Sequence, residues 1–271
     1  MVGKGSGWDL ARQAANVVGV IFQVVAPIFT AAAVGEVSDQ NSTLVVPAGY
    51  AFVIWTPIFF LAFVYAVYQA LPSKRRDPLL RGIGWFSAVA FISNGIWQLL
   101  FPARQFVLSQ LVFVVIFACA GLAYLAVQRA SQSDGRVRRW LLAPAFGLFF
   151  GWVTAAILVG FATVLTGIGL LEGGWGEAVL GAGLLLLGGA IACAVVLATR
   201  QGPPQGYLSY AAAVVWALVA VVVNQYGASL LTTGAAAISA VVVVAVVALA
   251  LLRPRRGRTP PAPGDGHPRV V

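Results

Sequence analysis

Eight apolar runs constrain this chain more than any other feature. They lie at 10–33, 48–71, 82–102, 106–128, 140–167, 177–199, 207–227 and 233–252. A helix needs roughly 20 apolar residues to cross the hydrocarbon core of a bilayer. Backbone in lipid must satisfy its own hydrogen bonds, within helices or a closed barrel. The runs lack the alternation of barrel strands and are rich in Gly, Ala and Leu, which selects helices. Only 9% of the 271 residues are charged and the mean hydropathy is +0.91, whereas soluble domains carry about 25% charged residues. A water-soluble fold is excluded. The chain reads as an all-α integral membrane protein with eight transmembrane helices.

The net charge of +9 is distributed as a topology signal. Lys4 and Arg12 precede the first helix, and Lys74, Arg75, Arg76 and Arg81 lie between the second and third. Arg129, Arg136, Arg138 and Arg139 lie between the fourth and fifth, and Arg200 between the sixth and seventh. Arg253, Arg255, Arg256, Arg258 and Arg269 occupy the tail, and Arg104 alone falls on the other side. With 16 of 17 basic residues on one side, the positive-inside rule predicts cytoplasmic termini in a bacterial inner membrane. The expected partner of that face is anionic lipid headgroups, and nucleic acid is not expected. The acids Glu36, Asp39, Glu172 and Glu177 fall on the exoplasmic side.

Several functions lose their footing here. No ionisable residue falls near the centre of a run, where ion-coupled pumps usually carry one, and no intramembrane lysine is present for a retinal Schiff base. His267, in the tail, is the only histidine, and Cys119 and Cys193 sit within runs. No metal site, disulfide framework or cofactor is expected. The segment "FTAAAVG" at 29–35 has the look of a signal-peptidase site, but its apolar run exceeds a signal h-region, so a retained helix is predicted. Residues 253–271, rich in Pro, Gly and Arg, read as a disordered basic cytoplasmic tail.

Position sorts the eight tryptophans. Trp8, Trp85, Trp140 and Trp175 fall at run ends, where interfacial anchoring accounts for them. Trp55, Trp97, Trp152 and Trp216 lie inside runs. Counted at 1.5 Å per residue, Trp55, Asn94 and Trp152 reach a similar depth on the exoplasmic side. Phe52, Trp55, Thr56, Phe59 and Phe63 share a helical stripe, as do Asn94, Trp97, Gln98 and Phe101, and Gln110, Phe113, Phe117 and Tyr124. Each stripe alone is ordinary helix packing, with the amides bonding between helices. Amides beside indoles at one depth also fit an aromatic-lined cavity with a few polar fixers. Gly147 and Gly151, and "GAGLLLLGGA" at 181–190, are suited to close helix contact, inside the bundle or between copies.

At these residues the chain resembles the tryptophan-rich sensory protein family (TspO/MBR), bacterial relatives of the mitochondrial translocator protein. "PAGYAFVIWTPIFFLAFVYAVYQ" is similar to that family's second helix, "NGIWQLLF" to its third and "APAFGLFFGWVTAAI" at 143–157 to its fifth. The resemblance covers 10–167 and implies a five-helix bundle, often a homodimer, that binds tetrapyrroles, sterols or other flat hydrophobic ligands. Its pocket positions map onto Trp55, Asn94, Trp152 and Ala156, and its helix-three tryptophan onto Trp97. Tyr50 and Gln98 complete the candidate ligand-binding set. Where the family has Pro-Pro-x-Trp, this chain has Pro47-Ala48-Gly49-Tyr50, without a loop tryptophan linked to porphyrin chemistry. The expected organisation is an N-terminus at 1–9, a TspO-like core at 10–167, three additional helices within 168–252, and the tail.

The leading functional expectation is a membrane receptor or carrier for a planar hydrophobic ligand, with a cavity opening toward the exoplasmic side. The alternative is a membrane enzyme, such as an isoprenoid or tetrapyrrole cyclase, with Glu36 or Asp39 as the acid. A facilitative transporter is the third.

Overall fold

The computed structural model describes residues 5–130, 135–171 and 173–252. Lys4, Asp134, Glu172 and the tail at 253–271, including His267 and its five arginines, lie outside the described residues. Every regular element among the described residues is helical. Among the described residues eight helical spans are long and apolar enough to cross a membrane. The helices are α1 (Gly5–Gln40), α2 (Trp55–Ala70), α3 (Pro78–Leu100), α4 (Phe106–Arg129), α5 (Ala143–Gly167), α6 (Gly174–Thr199), α7 (Pro204–Gln225) and α8 (Leu230–Leu252). The second span, Gly49–Ala70, is a 3-10 turn continued by α2. Their outward faces carry bare apolar side chains such as Phe29, Leu230 and Val241, which only lipid would solvate.

Local chemistry explains the helix starts. Asp77 caps α3, its side chain accepting from the amides of Leu79 (2.9 Å) and Leu80 (3.1 Å), and Pro78 follows at a position where no intrahelical N–H is needed. Pro204 opens α7 in the same manner. A 3-10 turn, Gly49–Ile54, leads into α2, and Pro57 sits in its first turn. A π-turn, Arg138–Leu142, precedes α5. There Arg138 donates to the carbonyls of Val127 and Gln128, both at 2.8 Å, and so caps the end of α4.

The first helix exceeds its apolar run at both ends. Asp9 and Arg12, placed by sequence ahead of the helix, are on it and buried. Arg12 escapes the cost of an unpaired buried charge by donating to the carbonyls of Leu80 (2.9 Å) and Arg75 (3.0 Å). Asp9 pairs with Arg81. Deeper along the same interface Asn16 donates to Gly84 (2.7 Å), Ser87 donates to Asn16 (2.6 Å), and Tyr65 bonds Ser87 (2.9 Å). Gln13 and Gln69 each donate to the other's backbone carbonyl. These bonds satisfy polar groups that lipid could not and fix α1, α2 and α3 in register.

α3 packs between α1 and α4, α4 on α5, and α2 against α1 and α5. Among the described residues the most extensive helix contact joins α5 to α7, and α8 packs on both α6 and α7. The α5–α7 seam depends on Gly147 and Gly151, whose missing side chains leave room for the backbone carbonyls of Gly206 and Tyr210. Small residues let helices meet backbone to backbone, where dispersion accumulates without help from water. One continuous core includes Trp152 and Phe146 of α5, Leu184 of α6, Tyr210 of α7 and Val243 of α8. The three helices after 167 thus share a core with the five before them.

Candidate binding cavity

A cavity of about 530 Å³ lies at the end of the bundle where α1 finishes, α2 begins and α3 turns into α4. That volume is within the range of small-molecule sites, roughly 300–1,000 Å³. Two aromatic groups line it. In one, Trp55 stacks on Phe59 (ring centroids 5.2 Å) and meets Trp152 edge-on (6.1 Å), and Phe52 meets Trp152 at 5.8 Å. In the other, Trp97 stacks on Phe101 and meets Phe113 edge-on, both at 5.1 Å. Aromatic pairs in these geometries hold one another in place.

The remaining walls come from elsewhere in the chain. The second half of α1, beyond Pro27, lines the cavity with Ala31, Val34, Gly35 and Asp39. Pro27 supplies no N–H to the carbonyl of Gln23, which leaves a gap in the helix ladder at this point. α6 contributes Leu184, Leu185 and Gly188, and α7 contributes Val214, Ala217, Leu218 and Val221. The loop between α1 and α2 folds over the end, with Val45, Val46 and Pro47 in the wall. It is strapped down by Gln225 donating to Val46 (3.1 Å), by the amide of Ala48 donating to Ala220 (3.0 Å) and by the amide of Leu44 donating to Glu177 (2.8 Å).

Two buried polar groups on wall residues are unpartnered. Trp152 is 3% exposed and its indole N–H has no acceptor; Ser109 of α4 is also 3% exposed and its hydroxyl has none. Each costs about 1–3 kcal/mol if left so in an apolar interior. Gln110, by contrast, is committed to the carbonyl of Ile157 (3.0 Å).

The residues singled out by sequence separate here. Trp55, Trp97, Gln98, Trp152 and Ala156 line the cavity together. Asn94 lies outside the wall, fully buried and donating to Gln23 of α1 (3.1 Å). Tyr50 is also outside it, half exposed with its ring edge-on to Trp216 (5.5 Å). Trp216 is tied to the same turn, donating to the carbonyl of Ala51 (2.9 Å). Of the two loop-side acids, Asp39 lines the cavity, whereas Glu36 is exposed and accepts from Gln40. Phe63 faces outward. Among the described residues no three His, Cys, Asp or Glu side chains are grouped to hold a metal. The cysteines Cys119 and Cys193 are free.

The sequence reading did not reach Ser109, Phe106 or the walls from α6 and α7. One available signal was the run of small residues at 30–35 after Pro27, which leaves α1 too thin on that side to fill the space.

A family model described as TSPO-like protein matches residues 11–251. No curated protein and no solved structure matches the chain.

Proposed function

The chain belongs to the TSPO-like family, and on that premise we propose that it is a membrane receptor or carrier for a planar hydrophobic molecule of tetrapyrrole, sterol or isoprenoid kind. The observation that carries this reading is a cavity of about 530 Å³ lined by the rings of Trp55, Phe59, Trp97, Phe101, Phe113 and Trp152. Flat rings pack well against aromatic side chains, and an apolar wall with few polar groups suits a hydrophobic ligand. The basic asymmetry orients the chain with its termini in the cytoplasm and the cavity toward the exoplasmic side of a bacterial inner membrane. No ionisable group among the cavity residues other than Asp39 is available for proton work, which favours binding over catalysis.

The test uses 1-pyrenebutanol, a flat fluorescent probe with one hydroxyl, titrated into the purified protein in uncharged detergent. Trp152→Leu removes one of the aromatic rings of the wall and should weaken binding about fivefold, the value of roughly 1 kcal/mol of aromatic contact. Trp140→Leu removes an exposed ring outside the cavity and should stay within about twofold. Equal losses in the two variants would make the cavity irrelevant to binding.

A further inference from the structure

The two halves of α1 are held differently. From Asp9 to Ala26 a residue is buried at every turn, whereas from Ile28 to Gln40 only Val37 is. Arg12, Gln13, Asn16 and Gln23 carry the side-chain bonds that tie α1 to α2 and α3, and all four precede Pro27. Beyond it, among the described residues, the one such bond to another element is that of Arg104 to Gln40, at the very end of the helix. α1 has no extended interface with α4, α5, α6 or α7, although all four wall the cavity that its second half closes. The cavity face of this half is Pro27, Ala31, Val34, Gly35 and Ser38, and a Cβ added at Gly35 would meet nothing within 4 Å. Its outer flank bears Ile28 and Phe29, 74% and 81% exposed, where lipid would solvate them. One thin helix thus stands between the cavity and the bilayer. The aqueous end is better secured. There the loop after α1 is strapped to α6 and α7 through Leu44, Val46 and Ala48.

Resting on the binding reading above, we propose that α1 beyond Pro27 is a lateral gate, and that the cavity draws its ligand sideways from the bilayer rather than from water. Pro27 offers the hinge, since the carbonyl of Gln23 has no N–H to hold at that turn. The arm from Pro27 to Gln40 is about 20 Å long at 1.5 Å per residue. A bend of about 20° at the hinge, the scale of a proline kink, moves its end by roughly 7 Å. That admits a flat ring edge first. Swinging the arm exchanges a few contacts of small side chains for contacts with lipid tails, whereas lifting the loop breaks its hydrogen bonds. A planar apolar molecule is also far more concentrated in the bilayer than in water, so an opening on that side meets it most often.

The experiment follows 1-pyrenebutanol binding in phosphatidylcholine vesicles by stopped-flow quenching of tryptophan emission. The slope of the observed rate against probe concentration gives kon, and the intercept gives koff. Two cysteine pairs are introduced separately into a chain carrying Cys119→Ala and Cys193→Ala. Gln40→Cys with Arg104→Cys ties the arm to the turn between α3 and α4, and Leu44→Cys with Glu177→Cys ties the loop to α6. None of these four residues lines the cavity. Each pair is bridged with a flexible bis-methanethiosulfonate. Bridging the arm should slow kon and koff together by about tenfold, with their ratio kept within about twofold and both rates restored by reduction. Bridging the loop should change neither. Pro27→Ala, which returns the missing N–H without any bridge, should slow both rates about threefold. Partitioning of the probe into the vesicles is common to all variants. Rates unchanged by the arm bridge, or slowed by the loop bridge alone, overturn the gate while leaving the cavity reading standing. Failure of the unbridged chain to bind the probe overturns both.

Discussion

Gly151 offers a direct test of how the cavity wall is held. A Cβ placed on it would lie 2.9 Å from the Cβ of Ala213 and 3.0 Å from the carbonyl carbon of Tyr210, and closer still to that carbonyl's oxygen. Non-bonded carbons rest at about 3.5–4.0 Å, so Gly151→Ala forces α7 outward by roughly 1 Å. No flexible side chain is available to yield, because the atoms met are backbone and a methyl. Overpacking of this kind costs about 1–3 kcal/mol. Alanine also favours a helix over glycine by about 1 kcal/mol, so the reference is Gly183→Ala on α6, where the added methyl meets nothing within 4 Å. The difference between the two variants isolates the steric cost. Unfolding in mixed detergent micelles with rising SDS, followed by tryptophan emission, should place Gly151→Ala about 1–3 kcal/mol below Gly183→Ala. Affinity for 1-pyrenebutanol should fall only in the former, since α7 carries Val214, Ala217, Leu218 and Val221 into the cavity wall. Unfolding of both variants at the same SDS fraction would refute a backbone-to-backbone seam.

Two further outcomes are expected. In a variant with Cys119→Ala and Cys193→Ala, single cysteines at the exposed Ser42 and Ser73 should react with an impermeant thiol reagent from opposite faces of the membrane; same-face labelling would refute the orientation. Arg12→Met should lower stability by about 3 kcal/mol by removing the two charge-assisted hydrogen bonds to the carbonyls of Leu80 and Arg75. The exposed Arg76→Met should stay within about 0.5 kcal/mol, measured by the same SDS titration.

The helices were legible because a stretch of some twenty apolar residues has one stable conformation in lipid. Their ends were less so. Hydropathy fades where charge begins, yet the ladder of α1 runs on through Asp9 and Arg12 at one end and Glu36 and Asp39 at the other. Trp55, Trp97, Gln98 and Trp152 stood out because indoles and amides differ from the leucines around them, whereas Ala156 was named only through the family resemblance. Asn94 shows the limit of that reading: its stripe gives a face, but whether the face meets α1 or the cavity depends on how α3 is rotated. That rotation is set by packing, with the Asn16–Ser87 bond part of it. The α6 and α7 walls carried no such mark, since Leu184 or Val214 in a cavity is spelled like any lipid-facing residue.

The α5–α7 seam has a consequence for assembly. Gly147 and Gly151 form a surface of the kind that joins separate helices in a membrane, and here a helix of the same chain already occupies it. Tethering makes that association intramolecular, with an effective concentration set by the connecting chain and unaffected by dilution in the bilayer. A second copy could use this surface only by expelling α7, which also walls the cavity. Assembly of that wall is therefore independent of how much protein the membrane holds, and each chain completes its own.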